Sequence, residues 1–250
     1  MFPSLCLLPL ALGGRFTMSV PMPMPMPRPA PGPYLRSPIG LGRAAVALLG
    51  LVIAVDLFAV YADLVLYDVT GDLMDGASAG AAAGRLDDAN SLNTVAGGIQ
   101  SGALIACAVV YLCWFVRVRA NAGVFAPDTQ SMKPGWAIGG WFVPFVNLWY
   151  PRRITRDIWD ASSPLGARRS YLLVNAWWTL WLLSLVGDRV GSAQSTDADT
   201  VDGTHAGAYA LMISDALDIA AAALAIAVVL RLTRMQHAKA LAGPGVPGGV

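Results

Sequence analysis

Residues 134–151 read P-G-W-A-I-G-G-W-F-V-P-F-V-N-L-W-Y-P. This stretch, called the aromatic segment below, is rich in tryptophan and other apolar side chains. Three prolines interrupt it, and it is shorter than the roughly 20 helical residues that cross a bilayer. Basic residues stand on both sides of it. Its position relative to a membrane therefore depends on where those flanking residues lie.

The composition is typical of an integral membrane protein. Hydrophobic residues make up 56% of the 250 residues and charged residues only 13%, with a mean hydropathy of +0.55; soluble domains carry about 25% charged residues. A formal net charge of +1 argues against nucleic acid as a partner, because binding phosphates requires a dense basic surface. The spacing of Cys6, Cys107 and Cys113 fits neither a metal site nor a disulfide framework. No metal and no cofactor is predicted.

Both ends of the chain are predicted to be disordered tails. Residues 1–43 form a proline-rich cytoplasmic tail, because prolines recur throughout 21–33 and favour an extended, polyproline-like chain. This tail either docks a protein partner or is only a spacer. The apolar run 2–12 is either a weak signal peptide or an over-extended start, with initiation at Met18. Residues 235–250 form a Gly/Pro-rich tail.

Four apolar stretches between the tails predict transmembrane helices. The expected fold class is therefore all-α, a helical membrane bundle over residues 44–234. The first, second and fourth stretches have the length of a full span, and the third is short but strongly apolar. The four predicted spans are 44–67, 96–116, 170–186 and 209–230.

The basic residues predict the orientation of these spans. With a cytoplasmic N-terminus, 15 of the 17 Lys and Arg residues lie on the inner side, and only Arg85 and Arg189 lie outside. Cytoplasmic loops of membrane proteins are enriched in Lys and Arg. The sequence therefore predicts a multi-pass protein of the plasma membrane with both termini in the cytoplasm.

This orientation restricts what the aromatic segment can be. A fifth span there would move the arginines of 152–169 to the outer side, against the charge distribution. The segment is therefore predicted to enter and leave on the cytoplasmic side, as a re-entrant or an interfacial element that is broken at a proline. Its asparagine either caps the broken backbone or lines a polar cavity. The motif residues are Trp141, Pro144, Asn147, Trp149 and Pro151.

Residues 152–162 predict a short amphipathic helix on the membrane surface. Ile154 and Ile158 share one side of it, while Arg152, Arg153 and Arg156 project elsewhere. These arginines are predicted to contact anionic lipid headgroups, at about 1 kcal/mol each. The contact is either a specific lipid or phosphate site, or a topology signal with non-specific lipid contact.

The aromatic segment also carries a family resemblance. Its core, W-x-x-P-x-x-N-L-x-x-P over 141–151, is followed by Ile158 and Trp159. This pattern resembles the signature of actinobacterial membrane proteins grouped as the domain of unknown function 4328 family, and the resemblance extends over 44–234. It implies a several-helix membrane domain behind a proline-rich cytoplasmic tail. It implies no activity, substrate or catalytic residue.

Four aspartates inside the predicted spans are the main candidate site residues. Asp56 and Asp63 lie seven residues apart in the first span, and Asp215 and Asp218 lie three apart in the fourth, so each pair occupies one helix face. Carboxylates near the membrane midplane are costly unless they are protonated, paired or hydrated. Together with Asn175 they form either a proton or cation pathway centred on Asp56 and Asp218, or a neutral core that holds the helices in register. Further polar residues that can join are Gln100, Ser101 and Thr179.

A strip of small residues runs along the second span. Gly98, Gly102 and Ala106 recur at every fourth position, a pattern that lets another helix approach closely. We expect this contact inside the bundle, and the alternative is a dimer contact. The sequence does not predict an oligomeric state.

The expected function is non-enzymatic: a membrane scaffold or accessory protein that binds lipids and, through its proline-rich tail, a protein partner. The alternative is a small proton- or cation-coupled transporter or channel that uses Asp56 and Asp218. An intramembrane hydrolase is a third class, since two carboxylates can perform acid–base chemistry. The sequence contains no motif of such an enzyme.

Overall fold

The structure is a computed structural model that describes residues 34–164, 170–196 and 200–243. Residues 1–33, with Met18 and the proline-rich run, and residues 244–250 lie outside the described residues. The described part is helical and contains no strand, so the all-α prediction is confirmed. Its helices are α1 (Ile39–Met74), α2 (Ala79–Phe125), α3 (Trp136–Phe142), α4 (Tyr150–Ser162), α5 (Leu172–Thr196) and α6 (Val201–Ala242), with short 3₁₀ turns at Pro127–Thr129 and Val146–Leu148.

Three of the described helices, α1, α2 and α6, are long and apolar enough to cross a membrane. The prediction of four spans is therefore wrong, and α5 is the helix that falls short. Asn175 and several tryptophans interrupt its apolar character, and tryptophan favours the membrane–water interface. The apolar run ends before Asp188, so that 172–187 extends about 24 Å, against a hydrocarbon core of about 30 Å.

The long helices extend beyond the predicted spans. Helix α1 continues to Met74 and then stops because Gly76 adopts a left-handed conformation with φ +96°. Residues 39–43, predicted to belong to the N-terminal tail, form the first turn of α1. Residues 235–242, predicted to belong to the C-terminal tail, form the last turns of α6. A helix continues into polar sequence when no residue there terminates it. Hydropathy marks only the apolar part of such a helix and therefore predicts its ends too early.

The long helices pack in the order α2, α1, α6, α5. Helices α1 and α6 run antiparallel, since Gly42 of α1 faces Thr233 of α6 and, at the other end, Gly71 faces His205. Helix α2 does not pack along α5. We call this gap between α2 and α5 the open seam, and the three packed contacts α2–α1, α1–α6 and α6–α5 the closed seams.

Glycines allow a close approach of the two helices at the α6–α5 seam. A Cβ atom on Gly187 would lie 2.9 Å from Cβ of Ser214, and one on Gly191 would lie 2.8 Å from Cγ of Leu211. Both distances are shorter than a van der Waals contact. The two helices can therefore come this close only with glycine at these positions.

One end of the bundle, called the basic end, gathers the first turn of α1, the end of α2, α3, α4 and the end of α6. The side-chain amide of Asn121 in α2 donates to the Arg36 carbonyl at 2.8 Å and to Oε1 of Gln236 in α6 at 3.0 Å. Nζ of Lys239 in α6 donates to the Ala161 carbonyl in α4 at 2.7 Å. The start of α1 and the end of α6 therefore lie at the same end.

The aromatic segment lies at the basic end and is broken at Pro144. Helix α3 stops at Phe142, and Val143 is extended. Phe145 has φ +63°, within a turn closed by the Val146 N–H and the Pro144 carbonyl at 2.7 Å. The chain therefore reverses at the bundle end instead of continuing as one helix.

Candidate functional site

Helix α1 places three polar residues at intervals of seven on the face that meets α6. Asp56 is fully buried, and Asp63 and Thr70 are almost so, at 3% and 1% exposure. Seven residues are nearly two turns, so that these side chains lie in one row along the helix. Asp215 of α6 is buried against the same row.

Amide side chains from α2 bind the carboxyls of both helices. Nε2 of Gln100 donates to Oδ1 of Asp56 at 2.9 Å and to Oδ1 of Asp215 at 2.8 Å. Nδ2 of Asn93 donates to Oδ1 of Asp63 at 2.6 Å. One glutamine therefore joins the acids of α1 to the acids of α6, and we call this group of Asp56, Asp63, Asp215, Asp218, Gln100 and Asn93 the acid layer.

The carboxyls of the acid layer also meet one another. Asp218 is half-buried, accepts a hydrogen bond from Oγ of Ser184 at 3.2 Å, and lies within hydrogen-bonding reach of Asp56. Asp63 reaches Asp215 in the same way. One proton shared by two carboxyls can make each of these bonds. Without such a proton, Oδ2 of Asp56 is buried and has no hydrogen-bond partner among the described residues.

The acid layer has no basic partner in the described part of the chain. The ion pairs found there join Arg85 to Asp68 at 3.4 Å and to Asp72 at 2.6 Å, with all three side chains largely exposed. A group of three or more His, Cys, Asp or Glu residues arranged to hold a metal ion is also not found among the described residues. The acid layer is thus bound by neutral amide and hydroxyl groups.

Thr70 and His205 continue the acid layer toward the end opposite the basic end. Nδ1 of His205 lies 3.0 Å from Oγ1 of Thr70 and 3.1 Å from the Tyr67 carbonyl. Its ring stacks on that of Tyr67 at 3.9 Å between centroids. Thr70 was detectable as the next step in the seven-residue spacing of the two α1 acids. Asn93 likewise lies seven residues before Gln100 on α2, whereas the sequence carried no signal that Ser184 or His205 would face this row.

Three residues predicted to join the polar core lie elsewhere. Asn175 is in the first turn of α5 at the basic end, where its Oδ1 accepts hydrogen bonds from Nε of Arg152 at 3.1 Å and Nη2 at 2.8 Å. Ser101 and Thr179 are exposed. Asn175 is therefore a partner of α4 and is too far along α5 to join the acids.

An apolar cavity of about 290 Å³ lies beside the acid layer, between α1, α2, α3, α5 and α6. Asp218 is the charged residue that lines it, and Tyr111 and Trp141 form part of its wall. The Tyr111 hydroxyl and the Trp141 Nε1 are buried and have no hydrogen-bond partner among the described residues. The acid layer and the aromatic segment therefore meet at this cavity.

The other motif residues of the aromatic segment hold its broken backbone at the bundle. The Leu148 carbonyl accepts a hydrogen bond from Nε1 of Trp178 in α5 at 2.9 Å. Asn147 is half-buried, and its side chain makes no hydrogen bond in the described part, although its N–H donates to the Val143 carbonyl at 3.0 Å. A tryptophan of α5 thus binds the broken backbone, and the Asn147 side chain does not cap it; the alternative, that Asn147 lines a polar cavity, stays a prediction. Pro144 and Trp149 are exposed, and Pro151 is buried in the first turn of α4.

The predicted lipid-contact arginines line a second cavity, of about 320 Å³, at the basic end. Nε of Arg153 donates to Oγ of Ser131 at 3.1 Å, and the Arg156 guanidinium lies 4.2 Å from the centroid of the Tyr171 ring. Burial raises the pKa of the Tyr171 phenol, and its hydrogen bond to Asp160 acts in the same direction. We call this cavity the basic groove; it is lined by Ser131, Trp149, Arg152, Arg153, Arg156, Asp157 and Asp160.

The strip of small residues on α2 faces outward. Gly98, Gly102 and Ala106 are exposed, and a Cβ atom on either glycine would meet no atom within 4 Å. The expectation that this strip packs inside the bundle is therefore wrong. The dimer contact that was its alternative stays a prediction.

Comparison with protein-family models matches residues 77–234 to a domain of unknown function (DUF4328). The matched residues are more than half of the chain. They include Gln100, Asp215, Asp218 and the aromatic segment, whereas Asp56 precedes them. Searches of curated proteins and of solved structures found no match.

Proposed function

We propose that this chain, which belongs to the domain of unknown function 4328 family, is a proton-coupled membrane transporter without enzymatic activity. The observation that carries the proposal is the double hydrogen bond of Gln100. Its single Nε2 joins buried carboxyls of two helices, Asp56 and Asp215. Ionisable residues inside membrane helices are costly and are typical of proton pathways.

The charge of the acid layer favours protons as the coupling ion. The carboxyls of Asp56 and Asp218 lie within hydrogen-bonding reach of each other, as do those of Asp63 and Asp215, and among the described residues their other hydrogen bonds come from neutral groups. Like charges therefore repel unless protons are shared. Sharing a proton between Asp56 and Asp218 also gives a partner to Oδ2 of Asp56, which otherwise has none within the part of the chain that the structure describes. Binding and release of such a proton changes the charge that faces the cavity.

Two features of the structure give a proton access to the acid layer. The row from Thr70 to Asp56 covers about 21 Å along α1, from the end opposite the basic end toward the middle of the bundle. On the other side, Asp218 lines the cavity. A proton that enters along the row can therefore be exchanged at Asp218 for something bound in the cavity.

The transporter is proposed to be a multi-pass protein of the plasma membrane with both termini in the cytoplasm. The start of α1 and the end of α6 lie together at the basic end, near Arg152 and Arg156. Most basic residues of the described part also fall on that side, as expected for a cytoplasmic face.

The test is proton flux into liposomes. Purified full-length protein is reconstituted with a pH-sensitive dye inside, and a membrane potential is imposed. We expect dye acidification above that of protein-free liposomes, and a loss of at least tenfold in Asp56→Asn, because the amide keeps hydrogen bonding but cannot titrate. Asp202→Asn, an exposed acid at the start of α6, is the matched control and should leave the flux unchanged.

Two results would contradict the transport proposal. One is a parent protein that is correctly folded, as judged by tryptophan fluorescence and circular dichroism, and gives no flux above empty liposomes. The other is full flux in a folded Asp56→Asn variant. Either result leaves the acid layer as a structural hydrogen-bonded core.

A second candidate function, a lipid-binding scaffold, is favoured by the basic groove and its surroundings. Arg152, Arg153 and Arg156 line the groove, and Phe142 and Phe145 nearby are 69% and 77% exposed. Cationic groups beside exposed aromatic rings suit the headgroup region of an anionic bilayer. In this function the proline-rich tail would bind a protein partner.

The scaffold function predicts selective retention of anionic lipid. Protein purified in mixed phosphatidylglycerol and phosphatidylcholine micelles should retain phosphatidylglycerol, and Arg152→Gln with Arg156→Gln should lower that retention several-fold. Arg85→Gln, at the opposite end, is the control. Equal retention of both lipids by the parent protein would count against this function.

A further inference from the structure

The cavity beside the acid layer is walled by aromatic rings from three helices. The ring of Trp141 in α3 lies 5.8 Å from Tyr111 in α2 and 5.7 Å from Trp181 in α5. Tyr111 lies 6.3 Å from Trp177. These rings stand where α2 and α5 do not pack along each other, so that aromatic faces replace a helix contact at the open seam.

Asp218 gives this aromatic wall a single negative charge. It is the charged residue of the lining, which contains no Lys, Arg or His among the described residues. The carboxylate of Asp188 in α5 acts on Asp218 as a further negative group. A carboxylate next to aromatic faces favours a cation, because both attract positive charge.

The cavity is reached from the apolar outer surface of the bundle. Leu104 and Ala108 of α2 and Phe142 of α3 line it and are also exposed. In a membrane-spanning bundle this surface faces lipid. A molecule that enters here must therefore be soluble in the hydrocarbon phase while it carries the charge that Asp218 selects.

We propose that the cavity binds a lipophilic monocation, such as an aryl-substituted phosphonium or ammonium ion. Its charge lies next to Asp218 and its apolar groups lie against Tyr111, Trp141, Trp177 and Trp181. An anionic lipid is disfavoured by the carboxylate, and a neutral lipid leaves the carboxylate without an opposite charge nearby. Transport of this cation, in which a cation and a proton alternate on Asp218, rests on the proposed function. Binding of the cation does not require that function.

Binding is measured on the full chain in nanodiscs of uncharged lipid. The probe is methyltriphenylphosphonium, and 1,1,1-triphenylethane is its neutral counterpart of the same shape, with carbon in place of the phosphonium. Equilibrium dialysis and tryptophan quenching give the affinity of each. We expect saturable binding of the cation, at least tenfold tighter than binding of the neutral compound.

Two variants test whether the cation binds in the cavity. Asp218→Asn keeps an acceptor for Ser184 and should weaken cation binding at least tenfold, while Asp202→Asn should leave it unchanged. Ala108→Trp puts a large ring into the cavity from an exposed position on α2, so that it should block binding even if the Asp218 variant does not fold. Circular dichroism confirms that each variant is folded.

The proposal is overturned if the parent protein binds no methyltriphenylphosphonium, if it binds the neutral compound equally well, or if folded Asp218→Asn or Ala108→Trp keeps the parent affinity. The flux assay on the same preparations separates this inference from the proposed function. Cation binding without proton flux contradicts the proposed transport alone. Proton flux without cation binding contradicts the cation site alone.

Discussion

The closed seams and the open seam are built from opposite kinds of residue. At the α6–α5 seam, Gly187 and Gly191 bring two helix backbones so close that no Cβ atom fits between them. At the open seam, the large rings of Tyr111, Trp141 and Trp181 stand between helices that do not pack. The same four helices thus form a dense contact on one side and a cavity on the other.

This difference indicates that specific side chains maintain the cavity. Packing in membranes depends on close van der Waals contact between helices, since lipid supplies no hydrophobic driving force between them. The closed seams provide that contact. The rings at the open seam, with edge-to-face neighbours around Trp141, keep a defined space without a direct contact of α2 with α5. Stability and binding are therefore expected to depend on different seams.

The largest effect is expected from breaking a closed seam with Gly191→Val. The added Cβ would lie 2.8 Å from the Leu211 side chain and 3.1 Å from its backbone nitrogen, so that α5 must move away from α6. Overpacking of this kind costs about 2–3 kcal/mol of unfolding free energy, measured by denaturant titration in micelles with tryptophan fluorescence. Gly102→Val on the outer face of α2, where no atom lies within 4 Å, is the control and should have little effect. Equal losses in both variants would contradict the contrast between the seams.

A somewhat smaller loss is expected from Gln236→Leu, where α6 meets α2 and α4. Nε2 of Gln236 donates to the Val118 carbonyl at 2.8 Å and to Oγ of Ser162 at 3.2 Å, and its Oε1 accepts from Asn121. Removing the amide leaves buried partners unpaired, at about 2 kcal/mol in total, in the same denaturant titration. Gln194→Leu at an exposed position should leave stability unchanged. If Gln236→Leu has the same unfolding free energy as the parent protein, the hydrogen bonds that join α6 to α2 and α4 do not stabilise the bundle.

Tyr171, where α4 meets the start of α5, is expected to contribute stability that is lost at alkaline pH. Its pKa is raised above the ordinary value of about 10 by burial and by the hydrogen bond to Asp160. The folded state therefore holds the phenolic proton more tightly, and the resulting stability is present below about pH 10 and is lost as pH rises through the folded pKa. Tyr171→Phe should remove this part of the loss of stability at alkaline pH, while Tyr61→Phe, at an exposed position, should not. Identical alkaline melting profiles of the parent protein and Tyr171→Phe would exclude the effect.

The smallest effect on stability is expected from Leu104→Ala at the mouth of the open seam. Leu104 is 43% exposed and lines the cavity. Exposed side chains without specific partners usually change stability by less than about 0.5 kcal/mol. If the variant instead unfolds as readily as Gly191→Val, the open seam is a structural contact after all.

Much of the fold followed from local patterns. Apolar stretches indicated membrane helices, and the prolines of the aromatic segment marked a place where α3 ends at Phe142. Hydropathy misjudged α5, because Trp177 and Trp178 look apolar in a window of sequence although tryptophan favours the interface. It also placed helix ends too early, since α6 continues to Ala242.

Only part of the candidate site could be predicted from the sequence. Periodicity along a helix places Asp56 with Asp63, and Asp215 with Asp218, because spacing fixes the face of a residue about its own helix axis. Spacing does not say which helix lies opposite that face. The packing order α2, α1, α6, α5 decided that Gln100 bridges two acids, that Asn175 binds an arginine at the basic end, and that the small residues at 98, 102 and 106 face outward. The cavity likewise exists only because α2 and α5 do not meet, and a contact that is absent between distant parts of a chain leaves no local mark in its sequence.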